Sequence, residues 1–288
     1  MAAVLVPGFS LTLLKGDFGA QVAGVDIGAP LDAATRASLR EAFGRHRLLV
    51  FRDQNLPPAA HIAFSRIFGE LEIHVLDEYH KAEYPEIFEL SNIGPDGRPN
   101  AVHPDRGTLF WHTDASWQAM PALATLLYAE AVPRQGGHTL FADMIGAYEA
   151  LGTAERERFA QLRVVHDLDI SRRKAGYPGM TPAQKAKRPP IEQPLVRMHT
   201  PTGRRAMYLG SHGQQIVGMG EVEGRGLIER IMAHCAEPRF VVEHVWQPGD
   251  LVMWDNGATM HRATEYDTAT EPRVVRRTVV QGAAAIPG

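Results

Sequence analysis

The feature that most constrains this chain is a series of short β-type segments that begins near residue 107 and runs to the C-terminal end. TLFWHTDASW, ATLLYAEAV, HTLFADM, RAMYLG, RFVVEHVW, DLVMWDN and RVVRRTVVQG follow one another. Turn signals such as PRQGGH, TPTGRR and QPGD separate them. Short, turn-bounded strands of this kind predict an antiparallel sandwich or jelly roll. The class expected is mainly β with flanking helices.

The N-terminal third adds those helices. FGAQVAGVDI at 18–27 reads as a strand, and 32–46 as a helix with Asp32 as N-cap and Leu39, Ala42 and Phe43 at helical spacing. RLLVFRDQ then reads as a buried strand, and 57–68 as a second helix opened by proline and closed by Gly69. Helical insertions are expected at 143–161 and 221–236. No internal repeat or low-complexity linker divides the 288 residues, so a single domain over 1–288 is expected. A chain of this size buries roughly three quarters of its unfolded surface and needs no staple. Residues 168–194, rich in Lys, Arg and Pro, stand apart as either a solvated loop or a mobile lid.

Composition narrows the function. The net charge is −3 with no long run of one sign, which argues against a nucleic-acid partner. Cys235 is the sole cysteine, so neither an internal disulfide nor a CxxC site can form. No uncharged apolar stretch approaches the roughly 20 residues that span a bilayer, and no signal-peptide pattern is read at the N-terminus. A cytoplasmic protein is expected, with no membrane partner; a homo-oligomer is compatible with all of this.

Two segments carry chemistry. In Trp111-His112-Thr113-Asp114-Ala115-Ser116-Trp117, a strand would put His112 and Asp114 on one face. Far downstream, a turn near Asn256-Gly257 could return the chain so that His261 joins them. Two histidines and one carboxylate form a facial triad with open positions for iron(II). Zinc hydrolases use the same ligands, and a cupin-like binding protein would need no chemistry at all. Arg273, twelve residues after His261, bears on that choice. On a strand over 273–281, Arg273, Val275 and Arg277 share a face, and an inward arginine needs an anion that its fixed fork can grip.

At these residues the chain resembles the taurine and 2,4-dichlorophenoxyacetate dioxygenase family. The resemblance spans nearly the whole length: GVDI, HIAFSRIFGEL, WHTDASW, VPRQGGHT, AYEAL, HTPTGRRAMYL, GDLVMWDN, MHRA and the terminal arginine strand. It implies a double-stranded β-helix that binds Fe(II) through His112, Asp114 and His261. It implies that Arg273 and Thr139 hold the distal carboxylate of 2-oxoglutarate, and that O₂ and 2-oxoglutarate are consumed as succinate and CO₂ form. It implies that Arg277 meets an acidic group of a small anionic substrate. His74 falls where the taurine branch has a substrate-contacting histidine. Val75, Leu76 and Asp77 follow it instead of that branch's Pro and Tyr, and Ser91–Gly97 looks more like the aryloxyalkanoate branch. An aryloxyalkanoate is therefore the first expectation and a sulfonate of the taurine type the second.

Overall fold

Residues 3–73, 80–81 and 83–282 are described by the computed structural model of the chain. Three strands come first: β1 (Val4–Val6), β2 (Phe9–Lys15) and β3 (Phe18–Ala23). Helix α1 (Ala33–His46) starts where Asp32 accepts a hydrogen bond from the Thr35 backbone N–H at 2.7 Å. That cap satisfies one of the amides left free in a first helical turn. Leu39, Ala42 and Phe43 form its buried stripe. Strand β4 (Leu48–Phe51) is buried at every position, as its unbroken apolar run requires. Helix α2 (Pro58–Ser65) opens on its proline and precedes β5 (His80–Lys81) and β6 (Tyr84–Ser91).

The rest of the chain is strand-rich. It runs through β7 (Ala122–Ala131), β8 (Thr139–Asp143), α3 (Met144–Glu149), α4 (Thr153–Phe159), β9 (Arg163–His166), α5 (Leu168–Lys174) and α6 (Pro182–Lys187). It continues through β10 (Ile191–Pro194), β11 (Val196–His199), β12 (Arg204–Met207), β13 (Gly213–Ile216) and α7 (Glu221–Cys235). It ends with β14 (Val241–His244), β15 (Leu251–Asp255), β16 (Thr259–Ala263) and β17 (Val274–Gln281).

A nine-stranded sheet has the order β1-β2-β3-β4-β15-β7-β17-β6-β5, and a three-stranded sheet the order β14-β8-β16. Pairing in both is antiparallel except between β3 and β4. The chain changes sheet at short corners. β15 belongs to the large sheet and β16 to the small one, with only Asn256, Gly257 and Ala258 between them. This is a double-stranded β-helix. Its interior is lined by Phe18, Leu127, Phe141, Trp246, Trp254 and Val275. Outside it, α1 and α2 pack Leu39, Phe43, Ile62 and Phe64 against the large sheet, while α3 and α7 bury Met144, Ile145, Leu227 and Ile231 beside the small one. Each such side chain contributes roughly 1.5–3 kcal/mol when fully buried. Among the described residues no helix is long and apolar enough to cross a membrane.

Two sequence expectations are corrected. Residues 111–117 are not a strand: His112 makes a single isolated bridge, and the chain then turns through Ala115 at φ 55°. Residues 168–194 are not plain loop either, since they hold α5, α6 and β10. The Thr181 hydroxyl and the Gln184 side chain cap α6 reciprocally, a local signal that the basic composition masks.

Candidate metal centre and active site

The centre is assembled by one cross-chain bridge. His112 and His261 exchange backbone hydrogen bonds of 2.9 and 2.8 Å, and their rings lie 4.1 Å apart between centroids. The turn after His112 then swings Asp114 back toward both. Asp114 Oδ1 lies 3.8 Å from His112 Nε2, and Oδ2 lies 3.7 Å from His261 Nε2. All three residues are buried, and one ligand atom from each falls within 4.8 Å of the others.

Neighbours orient each ligand. His112 Nδ1–H donates to the Phe110 carbonyl at 2.8 Å, which leaves the Nε2 lone pair facing the centre. The Thr125 hydroxyl donates to Asp114 Oδ2 at 2.6 Å. Asn256 Nδ2 in turn donates to Thr125 Oγ1 at 2.9 Å, and Asn256 Oδ1 accepts from the Asp114 amide and the Trp254 indole at 3.2 and 3.1 Å. The Thr113 hydroxyl donates to the Asn256 carbonyl at 2.7 Å, so this one side chain and its backbone clamp the whole turn. Gly210 allows the chain to pass close behind it, because a Cβ there would sit 2.8 Å from His112 Cα.

Charge favours a cation at this point. Burial opposes ionisation of Asp114, but His261, Arg277, His112 and the Thr125 hydroxyl together hold its carboxyl below the usual range. Burial, reinforced by the neighbouring His112, pushes His261 well below an ordinary imidazole, so it stands neutral. Two imidazole nitrogens and an ionised carboxylate on one side of a point suit iron(II) with its remaining positions open.

Two cavities meet there. The smaller, about 40 Å³, is walled by His112, His261, Thr139, Trp254, Arg273 and His103 among others. Arg273 is buried, and its guanidinium makes neither a hydrogen bond nor an ion pair among the described residues. The Trp246 indole N–H donates to Thr139 Oγ1 at 3.0 Å, which leaves the hydroxyl proton of Thr139 free to be donated. The larger cavity, about 420 Å³, opens on His112 and Asp114 and is walled by Phe88, Phe110, Trp117, Leu168, Tyr177 and Met180 among others. Arg277 lines both cavities, with Nη1 3.5 Å from Asp114 Oδ1 and its guanidinium 4.7 Å from the Phe88 ring centroid.

The sequence thus named His112, Asp114, His261, Thr139, Arg273 and Arg277, and all six converge here. His74 lies outside the described residues. Sequence reasoning passed over Thr125 and the role of Asn256. It also missed Asn92, whose Oδ1 accepts from the Arg273 amide at 2.7 Å and whose Nδ2 donates to the Thr268 and Glu271 carbonyls at 3.1 and 2.9 Å. No periodicity marks these residues; an asparagine that serves as a three-way clamp looks like any loop asparagine in one sequence.

The model of the family described as "Taurine catabolism dioxygenase TauD, TfdA family" matches residues 10–279. The chain is 34% identical over 274 residues to the alpha-ketoglutarate-dependent 2,4-dichlorophenoxyacetate dioxygenase of Cupriavidus pinatubonensis, covering 92% of this chain and 96% of that protein. It is 34% identical over 291 residues to the (S)-phenoxypropionate/alpha-ketoglutarate-dioxygenase of Sphingobium herbicidovorans, covering 96% of each. The crystal structure of AAD-2 in complex with Mn(II) and N-oxalylglycine superposes with a TM-score of 0.87 at 34% identity, covering 96% of this chain and 100% of that one. With its jelly roll, its His-Asp-His cluster and these relatives together, the chain belongs to the taurine catabolism dioxygenase TauD, TfdA family of iron(II)- and 2-oxoglutarate-dependent dioxygenases.

Proposed function

We propose that this protein hydroxylates a small aryloxyalkanoate, with iron(II) on His112, Asp114 and His261, the distal carboxylate of 2-oxoglutarate on Arg273 and Thr139, and the substrate acid on Arg277. Two arginines from one strand region carry the reading: Arg273, buried without an anionic partner among the described residues, and Arg277 where the two cavities meet. A buried guanidinium without a partner is costly, and a carboxylate in the small cavity removes that cost. A hydrolase using the same triad leaves Arg273 and Thr139 unexplained, and a cupin-like binder leaves the open coordination positions unused.

Bound iron supplies the activation of O₂ that couples decarboxylation of 2-oxoglutarate to oxidation of a substrate C–H bond. The chain supplies position and charge. Arg273 and Thr139 would hold the distal carboxylate of the cosubstrate, and the Asn256–Thr125 pair keeps the Asp114 carboxylate aimed. Arg277 exchanges its 3.5 Å contact with Asp114 for the incoming substrate acid, and Phe88, Phe110 and Trp117 receive an aromatic body. Anchoring at one end fixes which carbon faces the metal, the basis of selective attack.

The relatives named for 2,4-dichlorophenoxyacetate and phenoxypropionate support the substrate class. We further place the protein in the cytoplasm, acting on a small molecule and on neither nucleic acid nor membrane, as one domain in which 168–194 closes over the larger cavity. The test is paired kinetics of Arg277→Leu with an aryloxyacetic acid and its neutral amide. The variant should lose the preference for the acid while its 2-oxoglutarate requirement stays the same. A preference that survives intact overturns the anchor.

A further inference from the structure

The small cavity holds a third candidate donor beside Arg273 and Thr139. His103 lines the small cavity with Arg273 and Thr139. Its Nδ1 accepts a hydrogen bond from the Asp105 backbone N–H at 3.2 Å. A ring nitrogen that accepts carries no proton, so the neutral ring is fixed with its proton on Nε2. Nε2 is buried and has no hydrogen-bond partner among the described residues. Burial, then the nearby Arg273 charge, hold this histidine below an ordinary imidazole, which favours the neutral form.

The Tyr266 ring lies 5.7 Å from the His103 ring between centroids, and the Tyr266 hydroxyl is likewise buried with no hydrogen-bond partner among the described residues. Burial raises its phenol, so it too retains its proton. An N–H and an O–H buried together beside Arg273, neither with a hydrogen-bond partner among the described residues, form a costly arrangement unless an acceptor arrives. A carboxylate offers about four lone-pair sites. Arg273 and Thr139 leave some of them unfilled.

We propose that His103, through Nε2–H, is a binding residue for the distal carboxylate of 2-oxoglutarate, with Tyr266 holding its ring in place and closing the cavity behind it. This rests on the reading of the small cavity as the cosubstrate site. In this role His103 sets the chain length of the 2-oxo acid accepted, because it can bond only an acid whose far carboxylate reaches the end of the cavity.

The test is calorimetric titration of the Mn(II)-loaded protein with 2-oxoglutarate and with 2-oxobutyrate, which lacks the distal carboxylate. His103→Leu should weaken 2-oxoglutarate by about tenfold or more, the loss expected for one hydrogen bond to a charged group. It should leave 2-oxobutyrate unchanged, and His103→Gln, which retains an N–H donor, should recover part of the loss. Equal weakening of both acids means that the histidine only shapes the fold, and overturns the proposal. Arg273→Gln distinguishes a cavity that binds no cosubstrate from a histidine that takes no part in binding it. If it abolishes 2-oxoglutarate binding while His103→Leu binds like the wild type, the cavity is the cosubstrate site but His103 has no part in it. If neither variant alters binding, the cavity itself has been misread.

Discussion

At the scale of single residues, the site is made of groups with no partner and groups with several. The Arg273 guanidinium has none among the described residues, so Arg273→Gln should cost about 3–5 kcal/mol of cosubstrate binding, a few hundredfold or more in the 2-oxoglutarate requirement. Thr139→Val removes only a hydroxyl donor and should cost about 1–3 kcal/mol. Steady-state titration with 2-oxoglutarate checks both; two variants with wild-type requirements place the dicarboxylate elsewhere. Asn256 is the opposite case. It holds the Asp114 amide, the Trp254 indole and Thr125 at once. Asn256→Ala should lower metal affinity by about 10- to 100-fold, as losses of outer-shell partners commonly do. A variant that titrates Mn(II) like the wild type contradicts the clamp. The sequence exposed the chemistry-bearing residues because their types are rare and their spacing is suggestive. It hid Asn92, Asn256 and Thr125 because their importance lies in contacts far apart along the chain, such as the 181 positions between Asn92 and Arg273.

At the scale of elements, apolar runs were the dependable signal. LLVF and LVMWD became β4 and β15, paired side by side and buried throughout. Helix α1 followed from its cap and its stripe. The misreading of 111–117 has a physical cause. An alternating pattern predicts a strand only where a neighbour pairs with it, and beyond His112 the Asp114 amide bonds to the Asn256 side chain instead of to a ladder. The triad therefore forms through a turn, and the pleat has no part in it. The segment 168–194 is tied together by Asp169, which accepts from Arg173 at 2.6 Å and from the Met180 amide at 2.5 Å and pairs with Lys185 at 2.8 Å. One carboxylate thus links α5 to α6 over the larger cavity. Asp169→Asn should speed protease cleavage within 168–194 and raise the KM for substrate several-fold, while leaving the 2-oxoglutarate requirement unchanged. If cleavage and KM both match the wild type, this carboxylate has no hold on the cover of the site.

At the scale of the whole molecule, buried histidines couple stability to pH. Burial, with Arg276 nearby, lowers His61 from 6.5 to about 3, and burial lowers His166 to about 4. Both folded values lie below the unfolded one, so the unfolded chain takes up protons first as the pH falls. Their stabilising contribution is complete above about pH 6.5 and is lost as the pH drops toward the folded values, by up to about 1.4 kcal/mol per pH unit for each residue. The Tm of the metal-free protein should therefore fall between about pH 7 and pH 5, and a flat profile would show that these rings are not held neutral. The architecture that buries them also brings the triad and the smaller and larger cavities to one point between two sheets. The most direct measurement of that joint function is succinate release from 2-oxoglutarate, with and without iron(II), in the presence and absence of an aryloxyacetic acid. Release should require iron, rise with the acid, and disappear in His261→Ala together with metal binding. Release that ignores iron and the acid, or that persists undiminished in His261→Ala, would contradict that joint function.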